Sequence, residues 1–313
     1  DLNFRPNMSS GALLLLFLVA TTTAASLKKT DGGLSRMKRT ANHVIKDCIH
    51  MTSEEGHYFY KSAGEDASVC GIYFVTAPNM LVQVHFDYLD VPCGTGGLLA
   101  FVDGWELNGG YFPAVEDHEL PLSERVSEFC GLTPPTRTFL SSQNAALLQY
   151  RVPKRSRGFS FKVTFVKNPA PCHVLVDDNM QSVYTLRNYG RNANCSLTAL
   201  FPVKVSLLSL SVGITMTGSN FKVETGTMKK CQETGHKDYL EISGGIDFAV
   251  PKVLTGANLC GLDSYPGQIS ETVLCGVSSV TLYSSGEYDN SATVAVRQAT
   301  EEDILSPAAL LCP

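Results

Sequence analysis

Ten cysteines constrain this chain more than any other feature: Cys48, Cys70, Cys93, Cys130, Cys172, Cys195, Cys231, Cys260, Cys275 and Cys312. No two are spaced as C-x-x-C, so zinc ribbons and thioredoxin-like redox sites lack their basic arrangement. An even set spread along the length reads as structural disulfides, which persist in oxidising compartments. A chain of 313 residues has room for roughly two domains.

The spacing itself is duplicated. Intervals from Cys48 run 22, 23 and 37 residues, and intervals from Cys172 run 23, 36 and 29. A strand-like run follows the third cysteine of each set: Leu98-Leu99-Ala100-Phe101-Val102-Asp103-Gly104 in one, Asp238-Tyr239-Leu240-Glu241-Ile242-Ser243-Gly244 in the other. Both fourth cysteines, Cys130 and Cys260, precede glycine. Between the sets lies Asn168-Pro169-Ala170-Pro171, which reads as a stiff, extended linker. This is a diverged internal duplication, with domains over residues 48–167 and 172–313 and a linker at 168–171. Spacing alone leaves the cysteine pairing open.

The hydrophobic period past Cys48 is two. Val82, Val84 and Phe86 alternate with Gln83, His85 and Asp87. Phe159, Phe161, Val163 and Phe165 alternate with Ser160, Lys162 and Thr164, and Ala292, Val294 and Val296 repeat the pattern. One wetted and one buried face per strand indicate antiparallel sheets. Turn signals such as Asn108-Gly109-Gly110, Thr133-Pro134-Pro135 and Ser284-Ser285-Gly286 punctuate them. The fold class is all-β, and no long helical pattern is present.

The N-terminal region differs. Residues 1–7 read as leader upstream of the true start. Residues 8–25, with the apolar core Ala12 to Ala20 and small residues at Thr23 and Ala25, read as a signal peptide. Residues 26–47 carry Lys28, Lys29, Arg36, Lys38, Arg39 and Lys46, and place Leu34, Met37, Ala41 and Val44 at helical spacing. They read as a basic helix, or equally as an arm over a sheet edge, and Lys38-Arg39 is a candidate processing site. Past the signal peptide, the richest apolar stretch, Ala199 to Val212, is interrupted by Pro202 and Lys204, so a membrane anchor is not expected. A net charge of −5 argues against nucleic acid as a partner. Asn194-Cys195-Ser196 is a glycosylation sequon.

The four-cysteine sets, the Asp238–Ile242 strand and the Cys-Gly pairs resemble tandem CUB domains. Val102-Asp103-Gly104-Trp105-Glu106-Leu107, Phe112-Pro113, Asp117-His118-Glu119-Leu120-Pro121-Leu122-Ser123-Glu124-Arg125 and Phe129-Cys130 resemble the corticotropin-releasing factor-binding protein family more closely. So do Ser141-Ser142-Gln143-Asn144, Arg151-Val152, Gly158-Phe159, the sequon against Cys195, and the extra pair Cys275 and Cys312. The resemblance covers about residues 40–313. It implies two tandem antiparallel β-sandwich (jelly-roll) domains with disulfides Cys48–Cys70, Cys93–Cys130, Cys172–Cys195, Cys231–Cys260 and Cys275–Cys312. It implies a secreted, extracellular, non-enzymatic protein without a cofactor, whose partner is a corticotropin-releasing-factor-like peptide hormone. It also points to the segment around the first cysteine, where Asp47, Ile49 and Met51 are the candidate contacts. Val44 and His50 depart there from the family's basic and acidic residues. A generic CUB adhesion or scaffold protein is the alternative, and a regulatory fragment of a protease a third reading.

Catalytic signatures are missing. His118-Glu119 begins H-E-x-x-H, but position 122 is leucine. No G-x-S-x-G appears. A CUB-type calcium cage is not expected, because its later loop reads Ser141-Ser142-Gln143-Asn144 in the first half and Ser284-Ser285-Gly286 in the second. Asp238 is expected to hydrogen-bond a neighbouring loop instead. Trp105, the only tryptophan, reads either as a surface anchor or as core beneath a turn.

Overall fold

The computed structural model describes residues 41–64, 68–176, 181–214, 224–267, 269–306 and 309–312. The leader, the signal peptide, Lys38-Arg39 and the basic segment as far as residue 40 lie outside them. The described residues form one compact unit.

The first half is a sandwich of two five-stranded sheets. One orders Ala41–Val44, Gly56–Lys61, Gly158–Lys167, Met80–Asp90 and Phe139–Leu140. The other orders Ile49–Thr52, Cys70–Val75, Ala145–Arg151, Leu98–Asp103 and Val126–Phe129. The alternating runs set their faces: Val82, Val84, Phe86, Phe159, Phe161 and Val163 are buried between the sheets, and His85 and Asp87 are exposed. Tyr58 stacks on Phe161 at 5.3 Å in the middle of this core.

The helical spacing of Ala41 and Val44 misleads. Ala41–Val44 is a strand, paired parallel to Gly56–Lys61 at the sheet edge. His43 and Ile45 turn inward there, and Val44 stays exposed. The edge partner, not local propensity, decides the conformation of so short a segment.

In the second half the described strands form one hydrogen-bonded sheet of eleven that wraps around its own core. His173–Val176, Cys195–Ala199, Val277–Tyr283, Tyr239–Gly245 and Leu254–Asp263 make one layer. Val203–Val212, flanked by Ser270–Leu274 and Ser291–Gln298, carries the other. Five disulfides close within the halves: Cys48–Cys70, Cys93–Cys130, Cys172–Cys195, Cys231–Cys260 and Cys275–Cys312.

The halves share a third core. Val75, Val102, Trp105, Phe112, Ala145 and Leu147 pack with Leu175, Phe248 and Val277. This explains why Ala145-Ala146-Leu147-Leu148 shows no alternation. Ala146 and Leu148 enter the sandwich core, Ala145 and Leu147 enter the junction, and a strand buried on both faces has no wetted side. Trp105 is 4% exposed and donates from Nε1 to the Phe74 carbonyl at 2.8 Å, so it is core and not a surface anchor. It sits on a hairpin, Trp105–Leu107 with Gly110–Phe112. Gly104 enters that hairpin at φ 102°, where a Cβ would fall 2.0 Å from the Phe112 carbonyl oxygen.

Candidate functional site

Three sets of residues flagged by sequence converge on the junction. Ser141 Oγ donates to Gln143 O and receives the Val82 N–H. Gln143 Oε1 receives the N–H groups of Cys172 and His173. Asn144 pairs with Leu175 through both its amide groups and also donates to Thr76 O. Arg125 is buried and donates to the carbonyls of Asp103, Phe112 and Pro113, which holds the hairpin of Trp105 in place. These side chains thus build the frame between the halves.

Asp103, His118 and Ser142 meet in the same region, beside a cleft of about 430 Å³. Ser142 Oγ lies 2.9 Å from His118 Nε2, and that nitrogen lies 3.2 Å from Asp103 Oδ2. The cluster is not a catalytic triad. His118 Nδ1 accepts the Leu120 N–H at 2.9 Å, so Nε2 carries the ring proton and has no lone pair for the serine proton. A working triad also sets serine and carboxylate on opposite ring nitrogens, whereas here both face Nε2. Ser142 instead donates to Asp103 Oδ1 from its hydroxyl and its backbone.

Nearby, His173 is buried, with Nδ1 2.9 Å from Ser196 Oγ. Desolvation pushes its pKa down to about 4, against a rise from a backbone hydrogen bond at Asp117 and with further lowering by His118, Arg125 and Arg191. Asp117 is held above the ordinary carboxyl range by burial, opposed by the Asn194 amide, which donates to it at 3.0 Å. The sequon asparagine is therefore half-buried at the junction, followed by a disulfide-bonded Cys195 and a buried Ser196.

Asp238 does bond a neighbouring loop. Its carboxylate accepts Ser285 N–H, Ser285 Oγ and Asn290 Nδ2. In the first half, Asp90 receives Arg157 Nη1 and the Tyr88 hydroxyl. Among the described residues no group of three His, Cys, Asp or Glu side chains is placed to share a metal ion.

The segment around the first cysteine has a different character. Ile49–Thr52 is an edge strand, parallel to Cys70–Val75, with Ile49 opposite Gly71 and Met51 opposite Tyr73. Its inner side is fixed: His50 meets the Tyr58 ring edge-on, and Thr52 Oγ1 lies 2.9 Å from the Tyr58 hydroxyl. The disulfide to Cys70 and the Gly71 N–H to Cys48 O pin its start. Its outer side is open. Ile49 is 74% exposed, Met51 is 61% exposed, and Asp47 is exposed beside them. The sheet registers place Met51 in one row with Tyr73, Leu147 and Val102. The far end of that row is the junction core. Tyr73 meets Trp105 edge-on at 5.1 Å and donates its hydroxyl to Glu106 O, and Glu106 also receives the Gln149 amide. Ile49 and Met51 are thus the uncovered rim of an apolar sheet face whose other end is sealed by the second half. Sequence reasoning named the rim residues but missed the row behind them; the unbroken apolar run at 145–148 was the available signal.

Fold and surface together define a class: disulfide-stapled double β-sandwiches that present an apolar rim on a rigid frame. Residues 40–169 match the corticotropin-releasing factor binding protein N-terminal domain, and residues 175–305 match its C-terminal domain. The chain is 28% identical over 284 residues to the corticotropin-releasing factor-binding protein of Homo sapiens, covering 91% of this chain and 84% of that one. It is 30% identical over 253 residues to that of Mus musculus, covering 80% and 75%. Among solved structures it is similar to the CUB1-EGF-CUB2 domains of rat MASP-1, with TM-score 0.30, 13% identity, and coverage of 80% of this chain and 99% of that one. The chain belongs to the corticotropin-releasing factor-binding protein family, which is a family of binding proteins.

Proposed function

We propose that this protein captures an amphipathic peptide hormone of the corticotropin-releasing-factor type, a diuretic-hormone-like peptide among them, and keeps it from its receptor. The observation that carries the reading is the rim of Ile49 and Met51, exposed on an edge strand whose inner face and start the fold holds in place. A peptide of this kind loses conformational freedom when it binds, so tight capture needs a surface that is already ordered. A helix brings its i, i+3, i+4, i+7 face to such a strip, and Asp47 supplies a charged group to fix register.

The same reading makes the protein secreted and extracellular, with residues 8–25 removed, Asn194 glycosylated, and no nucleic acid or membrane anchor in its function. No helix among the described residues is long and apolar enough to cross a membrane. The test is a receptor-signalling assay with corticotropin-releasing factor as agonist. Added protein in excess should shift the dose–response curve to higher agonist without changing its maximum. An unshifted curve would reject sequestration.

A further inference from the structure

The opposite chemistry stands at one end of the first sandwich. The chain has 25 basic and 30 acidic residues, yet Arg151-Val152-Pro153-Lys154-Arg155-Ser156-Arg157 contains no acid. The overlapping stretch Pro153 to Gly158 reads neutral, basic, basic, neutral, basic, neutral. Short runs rich in lysine and arginine are the electrostatic footprint of polyanion binding. The bland alternative is a floppy solvated loop, and the geometry argues against it. The run is the tight turn between strands Ala145–Arg151 and Gly158–Lys167, closed by the Arg157 N–H on Lys154 O at 3.3 Å. Ser62 locks it from the adjacent strand end. The Ser62 N–H donates to Arg157 O, its carbonyl receives the Ser156 N–H, and its hydroxyl donates to Val152 O at 2.7 Å.

The lock adds a further cation from the neighbouring strand. Lys61 lies opposite Gly158 in the ladder, so Lys61, Lys154, Arg155 and Arg157 share one fixed end of the sandwich. Asp90 holds the Arg157 guanidinium at 2.5 Å. Lys61, Lys154 and Arg155 are exposed, and among the described residues none of them is paired with a carboxylate.

We propose that this turn is a docking surface for a sulfated polysaccharide. Sulfate groups are fixed anions that a planar guanidinium engages through two parallel hydrogen bonds and an ammonium engages as a point charge. A nucleic-acid site would need a longer basic track than one turn on a chain of net charge −5. The inference stands independently of the peptide reading.

The test uses the full oxidised chain on immobilised heparin at about 0.15 M salt. The wild type should be retained and elute with added salt. Lys154→Ser with Arg155→Ser removes two exposed cations outside the core, so the slope of log K against log salt should fall by about two. Desulfated heparin should retain neither protein. Co-elution of the Lys154/Arg155 variant with the wild type would overturn the proposal. So would failure of the wild type to bind heparin, or equal retention on single-stranded DNA.

Discussion

Asn144 and Leu175 form a two-way pair across the junction: the Asn144 amide donates to Leu175 O at 2.8 Å, and its carbonyl accepts the Leu175 N–H at 2.8 Å. A side chain here takes the place of a neighbouring strand at the free edge of His173–Val176. Asn144→Ala would leave a buried donor and acceptor unpaired, each costing about 1–3 kcal/mol. The expected outcome is a loss of about 2–6 kcal/mol in denaturant unfolding of the full chain.

Trp105 makes the junction directly observable, because it is the only tryptophan. Its burial against Tyr73 and the shared core predicts blue-shifted emission and poor quenching by acrylamide in the native protein. The emission should move to the red in the transition that separates the halves. Trp105→Ala should cost about 3–5 kcal/mol, as large core truncations do. Ready quenching of the native protein would contradict the shared core.

His173 sets an acid limit on the fold. Its pKa is about 4 in the folded protein against an ordinary 6.5, with desolvation as the main cause. The folded state therefore binds fewer protons than the unfolded chain between these values. Its contribution is complete above the unfolded pKa, declines as the pH falls below about 6.5, and is fully lost below about 4. The shift corresponds to about 3 kcal/mol. His173→Asn should flatten the fall in unfolding free energy between pH 6.5 and 4. An unchanged profile would remove His173 from the account.

How much of this was legible in the sequence differs by feature. The period of two in Val82–Phe86 and Phe159–Phe165 placed those side chains correctly, because each strand has one core face and one wet or edge face. Ala41 and Val44 misled because four residues sample both periods, and only the partner Gly56–Lys61 chooses between them. Ser142, Gln143 and Asn144 were visible as a distinctive run, but their partners lie as far away as Leu175 and Asp103, and no local pattern encodes that. Exposure at Ile49 and Met51 was unreadable for a related reason. An apolar residue on an edge strand looks like core until the covering element is seen to stop short of it.

The central claim is that the Ile49–Met51 rim takes the apolar face of a peptide, and calorimetric titration of the full oxidised chain with corticotropin-releasing factor tests it most directly. The wild type should bind at micromolar concentration or tighter, with a negative heat-capacity change from apolar burial. Ile49→Asp with Met51→Asp alters two outward side chains and should leave the Trp105 emission and the unfolding midpoint in place. That variant should bind at least about tenfold more weakly, a loss of about 1.4 kcal/mol. Tight binding by the wild type with equal binding by the variant would move the site elsewhere on the molecule. No binding by the wild type at micromolar peptide would contradict the account itself.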